Sequence, residues 1–200
     1  GLAKYQKRII GEVTEVRMYP GQSYLFFKIK DKEAPAILTC MMWKSDYSLC
    51  GLDLEVGLEI IVSGSANVYK PSGRFSFMPK IIELVGEGAL KVAYDKLKEK
   101  LQKEGLFDEA RKKPIPLYPN KIGLITSANG AVIHDFETNL GRYGFQIKFI
   151  DTRVEGQLAV QEIISAIDSF NKADIDVLVI IRGGGSLESM QAFNNEALVR

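Results

Sequence analysis

Apolar and polar positions alternate with a period near two along the first 85 residues. Ile9–Arg17 is rich in β-branched side chains. From Ser23 to Lys30 the alternation is strict, with Leu25, Phe27 and Ile29 on one face and Tyr24, Phe26, Lys28 and Lys30 on the other. Ala36–Trp43, Leu58–Tyr69 and Phe75–Leu84 complete five predicted strands. Tyr19-Pro-Gly-Gln, Lys70-Pro-Ser-Gly-Arg, and Gly51 and Gly57 around a polar stretch supply the turns between them. Five strands with a longer connection between the third and fourth follow the plan of an OB-fold barrel. A small SH3-like barrel fits the same pattern.

The period then changes. Leu90, Ala93, Tyr94, Leu97 and Leu101 recur at helical spacing, with Lys and Glu on the opposite face, and Gly105 suits a helix stop. Lys112-Lys-Pro-Ile-Pro reads as a stiff, non-helical linker. Beyond it strand and helix alternate: Lys121–Thr126, Ala131–Leu140, Gln146–Thr152, Leu158–Asn171, Asp176–Ile181, and helix from Ser186 to the end. That order predicts a parallel sheet. The run Asp-Val-Leu-Val-Ile-Ile reads as a strand buried on both faces. The expected organisation is multi-domain: an all-β barrel over 1–85, a helical linker and Pro hinge over 86–116, and the first part of an α/β domain over 117–200. Three strands make a thin sheet, so the natural chain is expected to continue past Arg200.

Composition narrows the chemistry. The 200 residues carry 26 basic and 25 acidic side chains, which excludes a strongly basic nucleic-acid coat. Charge is uneven, however: the first 113 residues hold 19 basic and 15 acidic groups, the remainder seven and ten. Ten of the 19 aromatic residues, including the single Trp, lie in the first 85. One histidine, His134, rules out a site with several His ligands inside this stretch. Two cysteines form no disulfide framework. No run of 18 apolar residues is present, and the leading Gly1-Leu-Ala-Lys-Tyr-Gln-Lys-Arg lacks a signal-peptide core, so a cytoplasmic location is expected.

Two strand-to-helix junctions attract attention. In Ile181-Arg182-Gly183-Gly184-Gly185-Ser186 the glycines would allow positive φ and let a ligand reach the amides, and Ser186 would cap an anion-attracting helix. A tight turn with an incidental Arg is the plainer alternative. Thr126-Ser-Ala-Asn-Gly-Ala leads into a helix carrying Asp135, with Ser127 and Gly130 at the turn. If the strand order is 2-1-3, these two junctions share the carboxyl edge of the sheet, where such folds bind ligands. The third loop, Thr152-Arg-Val-Glu-Gly156, either touches a phosphate or merely finishes a turn. In the barrel, Tyr24, Phe26 and Lys28 would stack bases and track phosphates. Tyr69, Lys70 and Arg74 would flank that face. The plainer alternative is that Phe26 packs under the linker helix and the lysines only keep the edge soluble, and Trp43 and Lys44 suit either reading.

With these residues in view, the chain resembles the large subunit of bacterial exodeoxyribonuclease VII. Gly11-Glu-Val, Tyr24-Leu-Phe-Phe-Lys-Ile-Lys-Asp31 and Cys40-Met-Met-Trp43 are similar to that family's nucleic-acid-binding domain. Leu97 through Phe107 and Lys113-Pro-Ile-Pro116 resemble its helix and hinge. Ile122-Gly-Leu-Ile-Thr-Ser127 with Gly130-Ala and Asp135 is similar to its first catalytic motif. Asp176-Val-Leu-Val-Ile, Arg182-Gly-Gly-Gly-Ser-Leu-Glu188 and Ala192-Phe-Asn194 are similar to its second. The resemblance implies a single-strand DNA exonuclease that hydrolyses phosphodiesters from chain ends and releases oligonucleotides. Asp135 and Arg182 fall on residues regarded as catalytic in the family. The phosphate would lie on Ser127, Gly130, Gly183, Gly184, Gly185 and Ser186.

A Gly-His-Glu-x-x-Asp motif and a region that gathers several small subunits are expected beyond Arg200, so residues 1–200 are expected to bind DNA but to cleave little. A divalent metal such as Mg2+ is not obligatory throughout the family. The chain departs from the family at Gly141-Arg-Tyr-Gly144, where paired basic residues are usual, and at Glu155, where Gln is common. The rival readings are a non-catalytic single-strand-binding barrel fused to an anion-sensing α/β module, and a tRNA-handling enzyme.

Overall fold

The computed structural model describes residues 6–200, so the reading of the first five residues as free of a signal-peptide core lies outside the described residues. Compactness divides the chain into Gly1–Ala93 and Tyr94–Arg200, a division inside the long helix α2 (Glu87–Lys103). A barrel of 1–85, a linker of 86–116 and an α/β part of 117–200 stand as a proposal about independently folding pieces.

In the first unit β1 (Lys7–Met18), β2 (Tyr24–Lys30), β3 (Ile37–Trp43), β4 (Glu59–Tyr69) and β5 (Arg74–Leu84) close into a barrel in the order β1-β2-β3-β5-β4. One barrel wall pairs β3 with β5 in parallel, and the remaining pairs are antiparallel. This is the OB-fold, and it sets the SH3-like alternative aside. The alternation in β2 has its expected effect. Leu25, Phe27 and Ile29 are buried among Val13, Met42, Ile60 and Ile82, while Tyr24, Phe26 and Lys28 stay partly exposed.

Closure depends on two distortions. β1 pairs with β4 through its first half and with β2 through its second, and its register shifts between Val13 and Glu15 where the strand bends. The second shift lies between Ser63 and Gly64, opposite Pro79 of β5. A proline cannot donate to a ladder, so a bulge is where a sheet tolerates it. A methyl on Gly64 would overlap the Met78 carbonyl oxygen and come within 2.7 Å of Pro79 Cα. Glycine at 64 is therefore required by the close approach of the β5 backbone.

A seven-residue helix, α1 (Lys44–Cys50), occupies the connection between β3 and β4 and ends at Gly51 with φ 62°. Sequence periodicity does not reveal it, because two turns are too short for an apolar stripe to repeat. Its Cys50 joins Cys40 in the barrel core. Burial pushes the Cys40 thiol up to about 12 and Cys50 to about 11, so both behave as small apolar groups at neutral pH.

In the second unit β6 (Lys121–Thr126), β7 (Gln146–Asp151) and β8 (Val177–Ile180) form a parallel sheet in the order β7-β6-β8, with α3 (Ala131–Leu140) and α4 (Leu158–Phe170) in the connections. Ala159, Val160, Ile163, Ala166 and Phe170 of α4 are buried in one cluster with Ile125 of β6. Gly123 permits the close approach, since a methyl there would press within 2.9 Å of Phe170 and Ile175. Asp176 anchors the amino end of the sheet by accepting the amides of Asn120 and Lys121 at 2.8 Å each.

Two expectations are corrected here. β8 is half-buried along its length, and the strand buried from Ile122 to Thr126 is β6, which lies between β7 and β8 within residues 6–200. The stretch after Ser186 is not one helix. It holds a 3-10 turn over Glu188–Met190 and a single turn, α5 (Glu196–Val199), whose first amides Asn195 caps. Three glycines start no helix, since each costs about 1 kcal/mol there, and Asn194-Asn195 interrupts the remaining stretch.

The bulge yields a stability test. Gly64→Ala is expected to lower unfolding stability by about 1–3 kcal/mol in urea, the cost of overpacking against backbone. An unchanged midpoint would mean that β4 and β5 can separate there freely.

Candidate nucleic-acid face and candidate anion site

On the barrel, side chains from three strands make a continuous row of rings ending in a cation. Trp43 of β3 meets Tyr24 edge to face at 6.1 Å between centroids, and Tyr24 meets Phe26 at 5.5 Å. The Arg74 guanidinium then lies over the Phe26 ring at 5.3 Å, a cation–π contact. Strand pairing sets this order, since Tyr24 is the register partner of Trp43 across the β2–β3 ladder. Beside Phe26 is a hollow of about 170 Å³ lined by Glu15, Arg17, Tyr19, Thr39 and Arg74 among others. Phe26 is therefore partly open beside a cleft.

The charges on this face are mostly spent internally. Glu15 of β1 pairs with Arg17 and, at 2.6 Å, with Lys28. Glu12 pairs with Lys30 at 3.1 Å. Lys28 holds the Glu15 carboxyl below its usual range, chiefly by its hydrogen bond and with help from Arg17. Lys44 donates to the Tyr19 carbonyl at 3.1 Å. Tyr69 and Lys70 sit exposed at the β4–β5 turn, where Gly73 takes φ 65°. Trp43 and Phe75, 40% and 51% exposed, are rings to which the sequence pattern assigns no firm role.

In the second unit Arg182 and the triglycine lie just past the carboxyl end of β8. Arg182 follows β8, which pairs directly with β6, so the 2-1-3 order expected for a shared edge is present. Its side chain is only 6% exposed. Nη2 donates to Glu155 Oε1 at 2.8 Å, to Ser189 Oγ at 3.2 Å and to the Gly184 carbonyl at 3.4 Å. Nε and Nη1 are buried with no partner among the described residues. Also buried and unpaired at this edge are the hydroxyls of Thr126, at the end of β6, and Thr152, just past β7, and the Gln157 carbonyl oxygen at the start of α4. A buried polar group without a partner costs about 1–3 kcal/mol, and more if it is charged, so native proteins rarely leave several at one edge.

The triglycine works differently from the expectation. None of Gly183, Gly184 or Gly185 has positive φ. Gly185 is needed for space: a methyl there would overlap Ser189 Oγ and come within 2.7 Å of Arg182 Nη2. Glycine thus lets the arginine fold back over its own loop. Gly183 and Gly184 face open space, and no amide from Gly183 to Ser186 donates to another backbone carbonyl among the described residues. Ser186 caps no helix. Its hydroxyl bonds to Glu188, whose carboxyl it holds below the usual range.

The first junction is more closed. Gly130 donates to the Ser127 carbonyl at 3.2 Å, and the Ala128 amide is taken by Asp151 Oδ1 at 2.8 Å. Asp135 is exposed on α3, and its carboxylate bonds to none of the groups around Arg182. In the third loop Arg153 is engaged twice by Glu162 and Gly156 turns with φ 74°, which favours the turn-finishing role.

Comparison with known proteins agrees with this layout. Residues 106–200 match the family model of the exonuclease VII large subunit, and residues 2–83 match an OB-fold nucleic-acid-binding domain. The exodeoxyribonuclease 7 large subunit of Streptococcus pyogenes serotype M5 is 40% identical over 195 residues, covering 96% of this chain. The chain is similar to the exodeoxyribonuclease VII large subunit over nearly its whole length. The Streptococcus thermophilus large subunit is 39% identical over the same length. The chain spans 43% of the length of each of these curated relatives. Among solved structures, the N-terminal domain of PriB from Thermoanaerobacter tencongensis overlays 42% of this chain and 99% of its own, at 19% identity and a TM-score of 0.35. The barrel assignment rests on strand pairing and not on that overlay.

Among the described residues no group of three or more His, Cys, Asp or Glu is placed to hold a metal ion. Asp135 alone does not fit a divalent cation, and the proposed chemistry is routed through none. No described helix is long and apolar enough to cross a membrane. Sequence reading passes over Ser189, Thr126, Thr152 and Gln157; the carboxyl-edge rule for parallel sheets is the signal that could find the last three.

The ion pairs on the barrel face predict a pH response. Because the Glu15 carboxyl is lowered in the folded state, its stabilisation is present above the ordinary carboxylate pKa and is lost only as pH falls through the lowered value. A carbon-detected NMR titration should place Glu15 below 4.5, and Lys28→Met should return it toward 4.5. An unmoved midpoint in the variant would remove Lys28 as the cause.

Proposed function

We propose that this chain captures single-stranded DNA on the aromatic row of the barrel and grips a backbone phosphate at Arg182 for phosphodiester hydrolysis. The carrying observation is the buried guanidinium whose Nε and Nη1 have no partner among the described residues, at the ligand-binding edge of a parallel sheet. A phosphate oxygen would complete those donors. Because negative charge on the oxygens grows as the bond breaks, fixed donors there favour the transition state over the bound strand. Asp135 is the proposed carboxylate that orients the attacking water, and the open amides of Gly183–Ser186 would share the phosphate.

The barrel supports the substrate half of the reading. Trp43, Tyr24 and Phe26 present rings, and any base can stack on a ring, which suits a nuclease indifferent to sequence. Lys28 is neutralised by Glu15, so phosphate tracking falls to Arg74, Lys70 and Lys44. An anion-sensing module accounts for the buried Arg182 equally well. Identity to relatives named as exodeoxyribonuclease over 96% of the chain favours hydrolysis. The small subunit of that enzyme is the expected protein partner, and a cytoplasmic location belongs to the same proposal.

Fluorescence anisotropy with labelled oligothymidylate checks the face. Phe26→Ala should weaken binding by about 5- to 100-fold, the loss of one stacked base. Arg74→Ala should also flatten the slope of log affinity against log salt by about 0.7. Equal affinity of both variants and wild type would sink the barrel assignment.

A further inference from the structure

We propose that Glu155 is the positioning residue for Arg182. The inference rests on the proposal that Arg182 grips a phosphate. The guanidinium has five N–H donors on three nitrogens. Glu155 Oε1 takes Nη2 at 2.8 Å, and Ser189 Oγ and the Gly184 carbonyl oxygen lie close to the same atom. Every recorded acceptor therefore lies on one nitrogen. The plane of the guanidinium is fixed from that corner, and the donors on Nε and Nη1 are left buried and unpaired. An arginine free to rotate would instead spread its donors over whichever carbonyls were nearest.

The carboxylate is presented by a loop that is itself held. The Thr152 amide donates to the Thr126 carbonyl at 3.0 Å, continuing the β6–β7 pairing one residue further. Arg153 donates to Glu162 of α4 through its backbone N–H at 2.9 Å and through Nη1 at 2.8 Å. Val154 is buried, and Gly156 turns the chain into α4. Each neighbour of Glu155 thus has its own anchor, and the Glu155 side chain, 62% exposed, is the one that reaches across to Arg182. Its exposure means that little packing is lost when it is shortened, so the effect of truncation falls on the buried Arg182, and retention of the fold is read separately from the amide spectrum. Glutamine keeps an oxygen that can accept from Nη2; alanine does not.

The experiment follows arginine side-chain Nε–H resonances of the nitrogen-15-labelled chain during titration with inorganic phosphate. In the wild type the buried Arg182 Nε–H should exchange slowly and shift on titration, and Arg182→Lys should delete the signal. Glu155→Ala should lose the slow exchange and weaken the phosphate response by about tenfold or more, the scale of a misplaced binding group. Glu155→Gln should restore both, and the backbone amide spectra of wild type and the two Glu155 variants should otherwise coincide, which reports that the fold is kept whatever the melting temperature does. Stronger phosphate binding in Glu155→Ala would overturn the proposal by making Glu155 a competitor, and an unchanged response would overturn it by making Glu155 idle. If phosphate moves no Arg182 signal even in the wild type, the phosphate reading itself fails, a result distinct from either.

Discussion

A guanidinium withdrawn from water must find acceptors, and in this chain Arg182 finds them on one nitrogen only. The second unit is arranged around that constraint. Gly185 leaves room for the arginine to fold back, the loop after β7 brings Glu155 to it, and the pairing of β8 with β6 sets it at the sheet's carboxyl edge. A charge left partly bare in a low-dielectric site is costly, and several kcal/mol per ion is the usual scale. Such an arrangement persists where a ligand completes it.

The barrel manages charge in the opposite way. Glu12 and Glu15 of β1 pair with Lys30, Lys28 and Arg17, so two carboxylates offset most of the charge of three cations beside the aromatic row. On the proposed reading, stacking on the rings would supply most of the attraction for a strand, and ion pairing with phosphates would supply less. The near balance of 26 basic and 25 acidic residues is consistent with that reading.

Much of this was legible in the residues. The strict alternation of β2 identified both its buried and its outer face, and the strand–helix rhythm after Asn120 pointed to a parallel sheet, whose 2-1-3 order entered only as a condition and is present. Of the two roles read for the triglycine, positive φ and access to the amides, the first does not hold. Gly183–Gly185 do not adopt positive φ, and the helix expected after Ser186 dissolves into a 3-10 turn and a single helical turn. Glu155 was visible in the sequence, but its role lies in a contact 27 residues away that no periodicity encodes. The neutralisation of Lys28 was hidden for the same reason, since it depends on the register between β1 and β2.

The most direct measurement is a diffraction study of the chain soaked with a short oligothymidylate. The account predicts a backbone phosphate oxygen within about 3 Å of Arg182 Nε or Nη1, the spacing of a charge-assisted hydrogen bond. The Nη2–Glu155 contact should stay in place. An oligonucleotide seated on the barrel with Arg182 still bare, at ligand concentrations that saturate binding, would contradict it.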